Sequence, residues 1–288
     1  MIAVVFAVLA AASNAVASVL QRRANRTVPS RGAFRIKLIW YLIRRPVWLG
    51  GFAAMIAGFV FQAGALFSGG LSLVQPILTA ELPFTMILVA RLSRIGLGRR
   101  SWLAVGELTV GLAVLLAAAA PEGGHHGPKP AEWIIVSVLT VGTITALVIV
   151  GTLMTGASRT ALLGVAAGFG FSFTATFIKE STYVFDDNPG AFLTTWPPYA
   201  MAVAGVCSLY LLQNALRSGS LVAAQPALTV SDPVASIVYG VMLFDERIRT
   251  GPWTIPEAVG VGLILYGSIR LAQSSAIRAN DDITSVWT

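Results

Sequence analysis

Charge is scarce in this chain. Asp, Glu, Lys and Arg make up 11% of its 288 residues, where a soluble domain carries about 25%. A chain so poor in ionisable groups lacks the polar surface that keeps a folded body in water. Cysteine is nearly absent. Cys207 alone excludes an internal disulfide and any CxxC metal or redox motif, and in its apolar run it reads as a small packing hydrophobe. Histidine occurs only as His125-His126, within the Gly- and Pro-rich stretch PEGGHHGPKPA at 121–131. That stretch reads as a flexible loop, and an exposed His pair in it reads as solvated rather than metal-bound. No metal site and no cofactor motif follow. There is no GxxxxGK[ST] pattern, so ATP-driven pumping by this chain is not expected. No His, Cys or acid constellation suggests an enzyme.

What the chain has is length of apolar sequence. Hydrophobic residues make up 56%, the mean hydropathy is +0.76, and a membrane span takes about 20 mostly apolar residues. Nine such spans are expected, over roughly 2–20, 47–68, 71–92, 102–120, 132–153, 160–179, 197–216, 219–243 and 255–273. Ala15-Val16-Ala17 before Ser18 resembles a signal-peptide cleavage site. No Lys or Arg precedes the apolar run, however, so the first span is expected to be a retained helix.

The net charge of +7 could suggest a nucleic-acid partner, but the positive charges sit mostly in short loops between spans. With the N-terminus outside, sixteen of the twenty Lys and Arg residues lie inside, and Lys129, Lys179, Arg247 and Arg249 lie outside. The positive-inside rule therefore predicts N-out, C-in insertion in the plasma or inner membrane. No nucleic acid is implied. Residues 31–45, RGAFRIKLIWYLIRR, are too short and too basic to span, and read as an amphipathic segment on the inner leaflet. The lipid bilayer is the first partner the sequence names.

The chain also repeats itself. ALFSGGLSLVQPILTAELP begins at Ala65 and ALRSGSLVAAQPALTVSDP begins at Ala215. Ala65-Leu66, Ser68, Gly69, Leu71, Gln75, Pro76, Leu78, Thr79 and Pro83 each recur 150 residues later, and Glu107 recurs as Glu257. A constant offset over so many positions marks a duplication. Four spans plus one linking span is an odd number, so the second copy starts from the opposite side of the membrane. The expected fold is all-α, with nine transmembrane helices and two inverted four-helix repeats joined by a linking helix, the arrangement used for alternating access in many transporters. The expected divisions are a first repeat at 1–120, loop and linking helix at 121–154, a second repeat at 155–273 and a cytoplasmic tail at 274–288.

These residues resemble a known family. ALRSGSLVAAQPALTVSDPVASIVYGVMLFDERIRTG, with its first-half echo, is similar to the EamA-type repeat of the drug/metabolite transporter superfamily. The matching parts are Pro226 and Pro233, the Glu246-Arg247 turn, and Gly260, Gly262 and Gly267 of the last helix. GFGFSFTATFIKE at 168–180 resembles the opening helix of such a repeat. The nine-span layout looks closest to the NIPA-like branch, which is associated with magnesium transport. The resemblance implies a membrane transporter. It names a fold better than a substrate.

Four acids fall within spans: Glu81, Glu107, Asp232 and Glu257. An intramembrane acid is a functional candidate by default. Gln225, Thr229, Asp232 and Ser236 are spaced by four, three and four residues, which places them on one helix face. They are expected to line a cavity, the alternative being hydrogen-bonded contact between helices. Pro76, Pro83, Pro226 and Pro233 act as hinges, and free the carbonyls of Ser72, Thr79, Val222 and Thr229. Thr79 and Thr229 are expected to face each other beside Gln75 and Gln225. Glu81 lies about 200° from Thr79 on an ideal helix, so it turns to a neighbouring helix or to a second protomer, leaving a homodimer open. Thr254-Ile255-Pro256-Glu257 fits a capping box, whereas Glu107 lies deeper and its spacing leaves both roles open. Ser13 and Asn14, Gln62, Ser172, Thr174, Thr176, Gln213 and Asn214 are weaker candidates for a central cavity.

The resulting reading is a secondary transporter moving a small solute by alternating access. Asp232, with Glu81 as a second candidate, binds a cation or a coupling proton. A divalent cation, an amino acid, an amphipathic metabolite and a lipid-linked head group all remain open as substrates. The rival classes are a non-transporting membrane scaffold or partner subunit and an integral membrane enzyme.

Overall fold

The computed structural model describes residues 1–25, 46–93, 98–124, 127–218 and 221–273. The expected amphipathic segment at 31–45, the His125-His126 pair and the tail at 274–288 lie outside the described residues.

Among the described residues, ten α-helices follow one another: α1 Ile2–Asn25, α2 Pro46–Ser68, α3 Leu71–Leu78, α4 Glu81–Ser93, α5 Arg99–Ala119, α6 Pro130–Leu153, α7 Gly156–Asp187, α8 Pro197–Ser218, α9 Leu221–Phe244 and α10 Thr254–Ala272. Together α3 and α4 make one span. Nine stretches among the described residues are then long and apolar enough to cross a membrane. Their outward faces suit lipid: α6, for example, exposes Ile134, Ile135, Val138, Leu139 and Val141, residues that a soluble protein would bury. The chain is a multi-pass helical membrane protein.

Lipid offers helices no hydrophobic reason to associate, so close packing between small residues has to hold them together. The glycines carry this packing. α1 lies antiparallel to α2, with Gly51 against Gln21, Gly58 against Asn14 and Gly64 against Phe6. α5 and α10 are antiparallel as well: a Cβ on Gly111 would come within 2.8 Å of the Gly260 carbonyl oxygen, and one on Gly267 within 2.9 Å of the Leu108 nitrogen. α7 is the most enclosed helix. It packs on α9 through Gly164 and Gly168, which meet Ala224 and Ser231, and on α8 through Gly170, which meets Ser208. Stacked Trp133 and Phe177 (centroids 5.2 Å apart), with Trp196 edge-on to both, tie α6, α7 and the start of α8 together. α1 packs on α2 and on the α3–α4 span, while α7 packs on α8 and α9. α3 meets α9, and α5 meets α10.

Four sequence expectations need correction. The third span is not one kinked helix: it breaks at Thr79-Ala80, between α3 and α4. The chain turns there through short-range bonds, Thr79 N–H to Pro76 O (3.0 Å) and Leu82 N–H to Thr79 O (3.1 Å). The Thr79 carbonyl, expected to be left free by Pro83, is therefore taken. The sixth span does not end near 179. α7 runs two further turns to Asp187, so the expected loop at 180–196 begins only after it. The stretch at 121–124, expected to be flexible, is docked: Glu122 and Arg247 exchange backbone bonds of 2.9 and 3.2 Å. Thr254 and Glu257 form no capping box. The 3₁₀ turn Gly251–Trp253 runs straight into α10, so Thr254 is already helical and its hydroxyl donates back to Gly251 O (2.8 Å). One half of such a box is found instead at the start of α6, where Lys129 N–H donates to Glu132 Oε2 (2.8 Å).

Candidate functional site

At the Phe244 end of the bundle, α3 begins at Leu71, after the tight turn Ser68-Gly69-Gly70. The first N–H groups of any helix lack partners within it. Here a carboxylate from the far end of the chain supplies them. Glu246 accepts from Leu71 N–H (2.6 Å) and Ser72 N–H (2.8 Å). The same carboxylate pairs with Lys179 of α7, whose Nζ donates to Glu246 Oε1 at 2.5 Å. Both side chains are at most 2% exposed. Lys179 Nζ also sits 4.6 Å from the centre of the Phe244 ring, a cation–π contact. Glycine makes room for the carboxylate, because a Cβ on Gly70 or Gly240 would collide with it.

The physics of this pair is demanding. Lys at the centre of a membrane helix costs about 2.5–3.5 kcal/mol on insertion scales, and a buried charge persists only when paired and hydrogen-bonded. Glu246 meets that requirement with the added field of the α3 N-terminus. Two further buried donors on α3 go unused. Ser72 Oγ (residue 1% exposed) and Gln75 Nε2 (residue 3% exposed) have no hydrogen-bond partner. Gln75 follows Leu71 by one turn on the same face.

A second polar group lies midway along α9. Asp232 is the twelfth of that helix's twenty-four residues. Its Oδ1 lies 3.5 Å from Ser236 Oγ, and Ser236 Oγ donates to Ser172 Oγ of α7 (2.9 Å). One turn on, Tyr239 OH accepts from Thr140 Oγ1 of α6 (2.9 Å). The face carrying Asp232, Ser236 and Tyr239 is thus tied to two neighbouring helices.

The remaining candidates divide. Gln75, Thr229 and Ser236 are buried, and Asp232 and Gln225 are half-buried. Thr79 and Thr229 turn their hydroxyls back onto their own helices, to Pro76 O (2.7 Å) and Gln225 O (2.8 Å). Pro76 lies within α3, and Pro226 and Pro233 lie within an unbroken α9. Pro83 and half-buried Glu81 begin α4. Asn14 packs against Gly58 between α1 and α2. Gln213 is exposed, and Asn214 donates to Tyr210 O (2.8 Å) on its own helix. Glu107 pairs with Arg270 across α5 and α10.

Sequence reading missed Lys179 as part of a site and saw Glu246 only as a turn. The available signal was the lone Lys in GFGFSFTATFIKE, an apolar helix where an ammonium needs an acid.

At 23% identity over 281 residues, covering 97% of each chain, this protein is similar to an uncharacterized protein of Corynebacterium glutamicum. No known family's sequence model matches the chain, and no solved structure matches it.

Proposed function

We propose that this chain is a secondary transporter of the drug/metabolite type that moves a small solute by alternating access. In this reading 1–120 and 155–273 are inverted repeats joined by α6, inserted N-out and C-in in the plasma or inner membrane. The 150-residue sequence echo supports the repeat. So does the shared pairing scheme, α1 with α2 and the third span, and α7 with α8 and α9. The observation that carries the transport reading is Asp232, a carboxylate halfway along a membrane helix with prolines on either side of Thr229, linked through Ser236 to α7. Such an acid suits a coupling proton or a cation. The α3–α4 break supplies the discontinuous helix on which transporter sites are often built.

A second reading, a membrane scaffold or partner subunit that does not transport, has one observation in its favour. Gln75, Thr229 and Ser236 are buried. Flux separates the two. Protein in liposomes is screened for uptake and efflux of magnesium and of amino acids, with and without a proton gradient. Solute flux that Asp232→Asn abolishes supports the transporter. Absence of flux for every solute leaves the scaffold.

A further inference from the structure

We propose that the α3 N-terminus, Lys179 and Ser72 form a carboxylate-binding cradle for a solute, and that Glu246 is its tethered occupant in the closed state. The proposal deepens the transporter reading, on which it rests, by naming the substrate class of that protein as small carboxylates.

The cradle is built for a planar oxyanion. Two consecutive backbone N–H groups and one ammonium converge on the two oxygens of a single carboxylate, at 2.6, 2.8 and 2.5 Å. Helix N-termini bind anions through their free N–H groups and their dipole. The half-helices of transporters are known to aim such ends at a substrate carboxylate. A helix end alone would carry little weight. Here the buried ammonium of Lys179 shares the ligand, and the unpartnered Ser72 hydroxyl remains beside it.

Those donors separate a binding site from a simple cap. A Cβ on Gly240 would meet Ser72 Oγ at 2.5 Å and would also collide with the Glu246 carboxylate. The hydroxyl and the carboxylate therefore flank the same spot, yet Ser72 Oγ makes no hydrogen bond. Gln75 Nε2, one turn along, makes none either. A structural cap needs only the groups Glu246 satisfies. Donors left idle in a buried place are costly, and a solute larger than a bare carboxyl group would use them.

Glu246 is also held in a way that permits exchange. It follows directly on α9, after Phe244 and an exposed Asp245 at φ 53°, in the left-handed region. The segment that carries it is latched to the 119–122 stretch by three backbone bonds, the Glu122–Arg247 pair and Arg249 N–H to Ala119 O (2.9 Å), while Glu246 N–H donates to Gly240 O (3.1 Å). An arriving carboxylate would take the Leu71, Ser72 and Lys179 donors, and Glu246 would leave with its short segment. In the expected orientation this end faces outward, so the exchange opens the outer side.

The test uses the full-length protein in lipid nanodiscs. Melting temperature is followed against sodium acetate, with sodium chloride at equal ionic strength as the reference. In wild type the tethered carboxylate competes at an effective concentration in the millimolar range or above. Glu246→Gln removes that competitor. The half-maximal acetate concentration should fall about tenfold or more relative to wild type. The response should vanish in the Lys179→Gln/Glu246→Gln protein, which has lost the ammonium. An acetate response of Glu246→Gln no greater than that to chloride overturns the proposal. So does a response that persists without Lys179. If Glu246→Gln does not fold, Glu246→Asp keeps the charge but shortens the reach, and should respond to acetate at lower concentration than wild type. Equal responses overturn the proposal. Proteoliposome flux keeps this question apart from the transporter reading. Acetate stabilisation without flux of any solute refutes transport and leaves the cradle. Flux of cations alone, with no acetate effect, refutes the cradle and leaves transport.

Discussion

The backbones of Gly111 and Gly260 approach so closely that a Cβ on the first would lie 2.8 Å from the carbonyl oxygen of the second. Side chains at either position would push α5 and α10 apart. Overpacking a close contact costs about 1–3 kcal/mol. Gly260→Val and Gly111→Leu should each lower the melting temperature and broaden the size-exclusion peak. Gly262 sits two residues along the same helix with nothing within 4 Å of its Cβ position. Gly262→Ala should therefore be neutral. Equal damage at Gly262 and Gly260 would mean that the close crossing is not what these substitutions disturb, since helix propensity alone favours Ala over Gly.

Lys179 and Glu246 should behave as a unit. Removing one member of a buried pair strands the other charge and costs about 3–5 kcal/mol, whereas replacing both with neutral groups is often tolerated. Lys179→Met should reduce folded yield severely, and Lys179→Met/Glu246→Gln should recover much of it. The measurement is a double-mutant cycle on the melting temperature in nanodiscs. Additive losses would show that the pair is not coupled.

The only native cysteine, Cys207, is exposed on α8, so Cys207→Ser should be mild and give a clean background for accessibility labelling. α6 separates residue 127 from residue 155, and α7 separates residue 155 from residue 190. Cysteines at 127 and 190 should label from the same side, and a cysteine at 155 from the other. The sixteen-to-four charge bias predicts that the shared side is the outside. Labelling of residue 155 together with 127 from one side would break the nine-span count.

Much of this architecture was legible because a membrane span is a composition signal about 20 residues long. All nine spans appear in the chain as runs of apolar residues. What was not legible depends on contacts between distant residues. Lys179 read as the end of its helix because a charge usually marks the membrane boundary. Yet α7 runs past it, and the ammonium is met there by Glu246, 67 residues away. The break at Thr79-Ala80 was hidden for a related reason. Pro76 and Pro83 have counterparts in Pro226 and Pro233, yet α9 stays whole. The prolines alone do not decide where a helix parts. Ser172, a minor candidate by sequence, turned out to be the partner that links Ser236 to α7. No spacing rule joins residues on different helices.

Asp232 carries the mechanistic prediction. Its neighbours offer a modest set of hydrogen bonds: Ser236 Oγ at 3.5 Å, with Ser236 itself committed to Ser172 at 2.9 Å. If the carboxylate only joined helices, Asn would serve as well, since it keeps the size and the acceptor oxygen. If it exchanges a proton or meets a cation, Asn must fail, because it cannot ionise. Asp232→Asn should therefore lose at least about tenfold in solute flux, equivalent to about 1.4 kcal/mol, while its melting temperature stays near that of wild type. Asp232→Glu should retain part of the flux. Ser236→Ala should act differently. It removes the link to Ser172, with a stability loss of about 0.5–1.5 kcal/mol, but leaves the carboxylate in place, so flux per folded molecule should largely survive. Glu257→Gln serves as the control: that acid is half-buried near the start of α10, outside the Asp232 group, and its replacement should leave flux unchanged. Full flux in the Asp232→Asn protein, measured in liposomes with its folding verified, would remove Asp232 from the transport path and turn attention to Glu81 and the Lys179–Glu246 pair as the charged groups that move.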